Sequence, residues 1–184
     1  MILVQKAKAE DMKCIRDMAE IVFRHTYRDI LSAEQIDYMM DWMYSPASLR
    51  RQLDEGHIYY IAFRDCVPCG YASVQQEGVC DDGRHLFHLQ KIYVLPSEQG
   101  KGVGRVLLDT ILKHVRASVR ADVDTRAAES ETDQQVGVVI ELNVNRSKPS
   151  INFYSRFGFK ILRQGDFHIG NGFYMNDYIM GLEL

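Results

Sequence analysis

The sequence predicts a single mixed α/β domain over residues 1–184, with helices covering a largely antiparallel sheet. The length suits one domain of ordinary size. No internal repeat or linker divides the chain, and helix-like and strand-like patterns occur in both halves. Together these patterns indicate about six or seven strands and about four helices.

The first third of the chain is mainly helical after an initial strand at Ile2–Lys8. Asp11 is expected to cap a helix whose apolar residues recur at helical spacing: Ile15, Met18, Ile21 and Val22. Ser32 begins a capping box that opens a second helix. Pro46 starts a short third helix that ends before Gly56.

The remaining chain alternates strands with two helices. A helix is predicted after Pro96, and a shorter one at Pro149–Phe157. The polar residues 121–135 predict an exposed loop. The predicted strands are Ile58–Phe63, Gly70–Gln75, Leu86–Leu95, Val136–Val144, Phe159–Arg163 and Phe173–Leu182, the last two joined by a hairpin turn at Gly170–Gly172.

Composition excludes several classes of function. Apolar residues make up 46% and charged residues 26%, the balance of a globular protein with a real core. A net charge of −3, with no basic stripe, gives no reason to expect nucleic-acid binding. The N-terminal residues lack the apolar stretch of a signal peptide or membrane span, so we expect a cytoplasmic protein that binds no membrane.

The four cysteines are too sparse for a disulfide framework. Cys66 and Cys69 have the spacing of a redox or zinc pair, but they lie between two strand patterns rather than at a helix start. A zinc site would also need two further ligands. We therefore expect a hairpin turn, no bound metal and no catalytic disulfide.

The segment Lys91–Leu108 carries the strongest functional signal: a strand, a glycine-rich turn and an amphipathic helix. A helix start leaves backbone N–H groups free, and the helix dipole favours an anion there. Glycines 100, 102 and 104 let a phosphate approach the backbone, and Lys101 and Arg105 add positive charge. Neither a P-loop nor a dinucleotide-binding glycine pattern fits the spacing, and a glycine turn without ligand is the remaining alternative.

The segment Gln99–Gly104 resembles the [Gln/Arg]-x-x-Gly-x-[Gly/Ala] acetyl-CoA motif of the GCN5-related N-acetyltransferases, the GNAT family. The preceding Ile92–Pro96 resembles the strand that leads into that motif. Downstream, Leu142–Arg146 and Ile151–Phe159 resemble the second part of the family pattern, and Asn176–Met180 its last strand. The resemblance spans nearly the whole chain apart from residues 121–135.

The resemblance implies acetyl-CoA as co-substrate and gives each motif a role. The central parallel strands of the family fold, here containing Ile92 and Val138, part at their ends and admit the pantetheine arm. The residues that the resemblance implies in cofactor binding are Ile92, Tyr93, Val94, Gln99, Gly100, Lys101, Gly102, Val103, Gly104, Arg105 and Asn145. A backbone N–H of this strand would stabilise the oxyanion of the tetrahedral intermediate.

Tyr154 occupies the family's general-acid position, where it would protonate the departing thiolate. The alternative is a core aromatic residue like its neighbours. Lys148 and Ser150 depart from the Asn and Ala common in the family, which puts local cofactor contacts in doubt. Glu141, His57 and His88 have suitable chemistry for a general base, and the sequence does not choose among them.

The resemblance implies transfer of acetyl to a primary amine, on a small polyamine-like molecule or a protein, by direct attack on the thioester. The layout is similar to the polyamine and diamine acetyltransferase branch. The acids between Asp29 and Asp41 would attract a cationic amine or form a solvated helix face, the second being favoured. A catalytically silent acyl-CoA sensor is the alternative function, and the oligomeric state, monomer or homodimer, stays open.

Overall fold

The computed structural model describes residues 1–127 and 137–184. It contains five α-helices and seven strands within those ranges. The helices are α1 (Met12–Tyr27), α2 (Ala33–Tyr44), α3 (Pro46–Asp54), α4 (Val103–Ala127) and α5 (Ile151–Arg156). The strands are β1 (Ile2–Lys6), β2 (Ile58–Arg64), β3 (Val67–Val79), β4 (His85–Val94), β5 (Val138–Asn145), β6 (Lys160–Gly170) and β7 (Phe173–Glu183).

The strands form one sheet in the order β1-β2-β3-β4-β5-β7-β6. Pairing is antiparallel between β1 and β2, β2 and β3, β5 and β7, and β6 and β7. The pair β4 and β5 is parallel, with His85–His88 aligned to Val138–Glu141 at the N-terminal end of each strand. The predicted fold class, a mixed and largely antiparallel sheet with one parallel pair, is confirmed.

The chain forms two compact units. Unit 1 comprises Met1–Gln75 and Gln90–Ile111, and unit 2 comprises Gln76–Leu89 and Leu112–Leu184. Each has its own buried side chains, because α1 to α3 supply an apolar face in unit 1 and β5 and β7 do so in unit 2. Among the described helices, none is long and apolar enough to cross a membrane.

The caps of the early helices follow the sequence with one exception. The Ser32 hydroxyl accepts a hydrogen bond from the Gln35 N–H at 3.1 Å, as a capping residue should. Asp11 does lie at the start of α1, but its carboxylate accepts the N–H of Lys8 at 2.8 Å instead of capping the helix. The reason is a short 3-10 turn at Ala9–Asp11, which uses the carboxylate first.

The exposed loop predicted over 121–135 is wrong for its first part, because α4 continues to Ala127. A run of polar residues often indicates a loop. After Gly104, however, neither glycine nor proline interrupts the helix up to Ala127, and alanine and arginine favour the helical state. Residues 128–135 lie outside the described residues.

Two tight hairpins confirm turn predictions. Arg64 pairs with Val67, which leaves Asp65 and Cys66 as the turn residues, with φ of 50° and 66°. Positive φ at both central positions is the geometry of the turn that suits the twist of a two-residue hairpin. Asn171 and Gly172 connect β6 to β7 with the same signs of φ, 51° and 76°.

Candidate active site

The glycine-rich loop between β4 and α4 is built as a sharp turn in unit 1. Gly100 and Gly102 have φ of +74° and +85°, a region that disfavours residues with a Cβ. A Cβ at either position would meet no atom within 4 Å. Backbone conformation, rather than crowding within the chain, therefore requires glycine at these two positions.

Helix α4 begins directly after this turn, at Val103. The N–H of Val106 donates to the Gly102 carbonyl at 3.1 Å and starts the helical ladder. The N–H groups of the first turn, including Val103, Gly104 and Arg105, have no preceding helical carbonyl. Their partial positive charge and the exposed, Cβ-free backbone at Gly102 make this end suited to a phosphate.

The two cations of the loop already have acidic neighbours. Lys101 Nζ lies 3.2 Å from Glu98 Oε1, and Arg105 Nε lies 3.9 Å from Asp109 Oδ2 on the next turn of α4. Both basic side chains are more than half exposed. The side chain of Gln99 donates to the Val94 carbonyl at 3.1 Å, which ties the loop back to its own strand.

The strand segment Ile92–Val94 is half-buried. The hydroxyls of Tyr93 and Tyr27 lie 3.3 Å apart, and the Tyr93 ring is tilted against Tyr71 at a centroid distance of 5.6 Å. The side chain of Tyr93 is thus oriented toward α1. The end of β4 is held by aromatic contacts on that side.

Tyr154 lies on α5 in unit 2 and is 8% exposed. Its N–H donates to the Ser150 carbonyl, and its ring packs edge-on against Phe159 at 5.9 Å. The chain at the C-terminal end of α5 also bonds to this residue, because the N–H groups of Phe157 and Phe159 both donate to the Tyr154 carbonyl. Backbone hydrogen bonds and ring packing thus hold Tyr154 within unit 2.

The strand end beside α5 gathers polar groups, of which Lys148 departs from the family pattern. Asn145 is buried, and its Oδ1 accepts the Ser147 N–H at 3.0 Å, which shapes the turn. Burial lowers the pKa of Lys148 to about 8, against an opposing effect of Asp177. Burial also raises the pKa of Asp177, one of whose carboxylate oxygens has no hydrogen-bond partner among the described residues.

Ser150 stands at the N-terminal end of α5 without capping it. Its hydroxyl is buried and has no hydrogen-bond partner within the described parts of the chain. An alanine, common at this position in the family, would leave no such group. The serine therefore adds a polar atom that bonds to no group in the described parts of the chain.

None of the base candidates from the sequence stands out in the structure. Arg163 occupies both carboxylate oxygens of Glu141, at 3.2 and 2.8 Å. His88 Nδ1 lies 3.6 Å from Glu77, and His57 Nδ1 lies 3.3 Å from the Ser73 hydroxyl. Each candidate has a structural partner of its own.

Sequence reasoning missed a buried amine on β4. Lys91 is 8% exposed, and its Nζ donates to Gln52 Oε1 at 2.6 Å while lying 5.8 and 5.6 Å from the ring centres of Tyr44 and Tyr59. The Tyr59 hydroxyl donates to the same Gln52 oxygen at 2.6 Å. Burial lowers the pKa of Lys91 to about 7. The signal in the sequence was the two-residue period of a strand, which puts Lys91 on the same face of β4 as Phe87 and Leu89, both of them buried.

The acidic segment forms a solvated face, the favoured of the two sequence interpretations. Asp29, Glu34, Asp37 and Asp41 are exposed. Asp37 is bound by Arg24 at 2.6 Å and Asp29 by Arg28 at 3.2 Å. These acids therefore supply no pocket for a cationic amine.

The two cysteines of the β2–β3 hairpin have different surroundings. Cys66 is exposed in the turn, whereas Cys69 is buried and its thiol donates to the Ala62 carbonyl at 3.3 Å. Burial raises the pKa of the Cys69 thiol, which disfavours the reactive thiolate. Among the side chains that the structure describes, those of residues 1–120 and 137–184, no group of three or more His, Cys, Asp or Glu residues is placed to hold a metal.

Comparison with known proteins agrees with this geometry. Residues 55–161 match the family model for the acetyltransferase (GNAT) domain. Comparison with curated protein sequences gives no significant match.

Solved structures of N-acetyltransferases share the fold. A GCN5-related N-acetyltransferase from Rhodopseudomonas palustris has a TM-score of 0.73 at 19% identity, over 99% of this chain and 95% of that one. The PaiA N-acetyltransferase from Thermoplasma acidophilum, in complex with coenzyme A, has a TM-score of 0.67 at 21% identity, over 100% of this chain and 99% of that one. The ribosomal-protein-S18-alanine N-acetyltransferase from Escherichia coli has a TM-score of 0.64 at 16% identity, over 100% of this chain and 94% of that one.

Proposed function

The chain belongs to the GNAT acetyltransferase family, and we propose that it moves the acetyl group of acetyl-CoA to a primary amine by direct attack on the thioester. Acetyl-CoA is the acetyl donor of this enzyme. The observation that carries the proposal is the turn at Gly100 and Gly102, which follows β4 and leads directly into the first turn of α4, where no preceding helical carbonyl faces the backbone N–H groups.

The pyrophosphate of acetyl-CoA binds at this turn. Positive φ at Gly100 and Gly102 exposes backbone that carries no Cβ, and the first-turn N–H groups of Val103, Gly104 and Arg105 donate to the phosphate oxygens. Gln99 fixes the loop from the strand side, and the Lys101 and Arg105 side chains raise the local positive potential. Ile92, Tyr93 and Val94 pair with the pantetheine arm, and Asn145 contacts it after β5.

The chemistry requires two proton movements. The lone pair of the neutral amine attacks the thioester carbonyl carbon, and a backbone N–H of the Ile92–Val94 segment stabilises the resulting oxyanion. When the carbon–sulfur bond breaks, the Tyr154 hydroxyl donates its proton to the CoA sulfur, and solvent later restores that proton. The amine nitrogen releases its extra proton to a base or a water chain.

The acceptor is a primary amine, on a small molecule or on a protein. One structural neighbour is named as an acetyltransferase of the alanine of a ribosomal protein, which supports a protein amine. The acids between Asp29 and Asp41 are exposed, and Arg24 binds Asp37 while Arg28 binds Asp29, which weakens the physical argument for a polyamine. A peptide with a free N-terminal amine is therefore the first acceptor to test.

The test measures CoA release by the purified protein with a panel of amines at fixed acetyl-CoA. The panel contains an alanine-initiated peptide, the same peptide with its amine already acetylated as control, a lysine-containing peptide and spermidine. Release with at least one free amine, absent with the blocked peptide, supports the proposal. Tight acetyl-CoA binding without release above hydrolysis for any amine would contradict it and favour an acyl-CoA sensor.

A further inference from the structure

The hairpin between β2 and β3 contacts the glycine-rich loop through the side chain of Arg64. Arg64 Nε donates to Glu98 Oε2 at 2.6 Å, and Nη2 donates to the backbone carbonyl of Lys101 at 3.2 Å. Both side chains of the ion pair are largely buried, at 28% and 19% exposure. The Arg64 guanidinium thus binds both the Glu98 side chain, which precedes the glycine turn, and the Lys101 carbonyl, which lies within that turn.

The same hairpin fixes the strand side of the loop. The carbonyl of Cys69 accepts the N–H of Leu95 at 3.0 Å, just where β4 ends. A Cβ at Gly70 would lie 2.7 Å from the Tyr93 carbonyl, so only glycine allows this close approach. The hairpin therefore touches the loop at its beginning, through Leu95, and at its middle, through Lys101.

The contact between Arg64 and Glu98 also changes the electrostatic potential at the loop. A carboxylate two residues before Gly100 stands near the place proposed for a pyrophosphate and would repel it. Arg64 and Lys101 both approach this carboxylate and hold its pKa below the usual range. Arg64 is the better placed of the two, because its planar guanidinium also reaches the loop backbone.

We propose that Arg64 is a positioning residue for acetyl-CoA binding: from the β2–β3 hairpin it holds the phosphate loop in its binding conformation and neutralises Glu98. This inference rests on the proposed function and extends it to a residue that does not touch the cofactor. It also gives the hairpin containing Cys66 and Cys69 a role in supporting the loop, with no chemistry of the thiols.

The test compares the acetyl-CoA dissociation constants of wild type and Arg64→Gln by calorimetry. Losing a hydrogen bond between charged groups and the loop restraint should raise Kd about 10-fold. Arg64→Lys should fall between the two, because a single ammonium cannot bind Glu98 and the Lys101 carbonyl together. The matched control is Arg50→Gln, which breaks an exposed ion pair with Asp54 on α3 and should leave Kd unchanged.

The double variant Arg64→Gln with Glu98→Gln isolates the electrostatic part. Removing the Glu98 carboxylate, which in Arg64→Gln keeps only Lys101 as a partner, should bring Kd back about threefold toward wild type, as expected for residues that interact directly. For both variants the acceptor KM, and kcat at saturating acetyl-CoA, should stay at the wild-type level. A merely structural role would lower all parameters together with the unfolding temperature.

A Kd of Arg64→Gln within twofold of wild type would overturn this inference while leaving the proposed function intact. The same holds if Kd rises but the double variant binds no better than Arg64→Gln. Failure of the wild-type protein itself to bind acetyl-CoA would instead contradict the proposed function. If Arg64→Gln does not fold, the acetyl-CoA Kd of Arg64→Lys is compared with that of the double variant Arg64→Lys with Glu98→Gln.

Discussion

Lys91 combines features that rarely occur together in one side chain: burial, a neutral hydrogen-bond partner and two flanking aromatic rings. Its Nζ is bound to Gln52 Oε1, and burial lowers its pKa from 10.5 to about 7. Burial on β4 therefore lets this amine lose its proton at a much lower pH than an exposed lysine does. It also ties the stability of the protein to pH.

The first prediction concerns this linkage. Between about pH 7 and 10.5 the unfolded chain holds a proton at Lys91 that the folded chain has released, so stability rises with pH across this window and falls as pH drops. Lys91→Met should flatten that rise and increase the free energy of unfolding at pH 7 by about 1–3 kcal/mol. The Tyr59 hydroxyl still satisfies Gln52 Oε1 in the variant.

Urea unfolding at several pH values checks it. Lys113→Met, at an exposed position of α4, is the control and should keep the wild-type slope. Because the pKa of Lys148 is lowered to about 8, this residue keeps part of the dependence of unfolding free energy on pH in both variants. An unchanged slope in Lys91→Met would show that this amine is charged in the folded protein at pH 7.

The glycine loop is the element on which cofactor binding depends, and its geometry permits a matched comparison. Gly102 and Gly83 have nearly equal φ, +85° and +86°, and a Cβ at either would contact nothing within 4 Å. Alanine at each should destabilise the fold by about 1 kcal/mol through backbone strain alone. Only Gly102→Ala should also weaken acetyl-CoA binding, because only it distorts the phosphate turn.

Thermal unfolding and calorimetric titration of both variants test this expectation. Equal losses of stability with a selective loss of affinity in Gly102→Ala agree with a backbone phosphate site. Wild-type affinity in Gly102→Ala, at the same stability loss as Gly83→Ala, would argue against it.

The β2–β3 hairpin yields a prediction about its cysteines. Replacing Cys66 and Cys69 together by serine should leave kcat/KM unchanged within about twofold, because neither thiol enters the proposed chemistry. The fold should lose about 1 kcal/mol or less, since a serine hydroxyl in place of the Cys69 thiol can still donate to the Ala62 carbonyl. Loss of activity, or a stoichiometric metal in the wild-type protein, would contradict this.

For the whole molecule, local patterns were sufficient for most of the fold. Hairpin residues such as Asn171 and Gly172, the Ser32 cap and the strand–glycine–helix segment specify their structures within a few residues of chain. The loop predicted over 121–135 is wrong up to Ala127, because the absence of glycine and proline after Gly104 favours the helix more than polar side chains disfavour it. That error concerns an element boundary and leaves the topology unaffected.

The contacts that the sequence did not reveal join distant parts of the chain. Arg64 and Glu98 are 34 residues apart, and Lys91 and Gln52 are 39 apart. Such pairs depend on sheet register and on helix packing, which local periodicity does not determine. The motif residues of the candidate site therefore stay predictions from the sequence, whereas the side chains that contact them from distant parts of the chain emerge only from the structure.

The most direct test of the proposed reaction is the kinetics of Tyr154→Phe with the best acceptor. The substitution keeps the ring packing against Phe159 and removes only the hydroxyl. If Tyr154 protonates the thiolate, kcat falls by about 10²-fold while the acetyl-CoA Kd stays at the wild-type value. The deficit should shrink with an acyl donor whose thiol is more acidic. Full kcat in Tyr154→Phe, under conditions where chemistry limits the rate, would contradict the assignment.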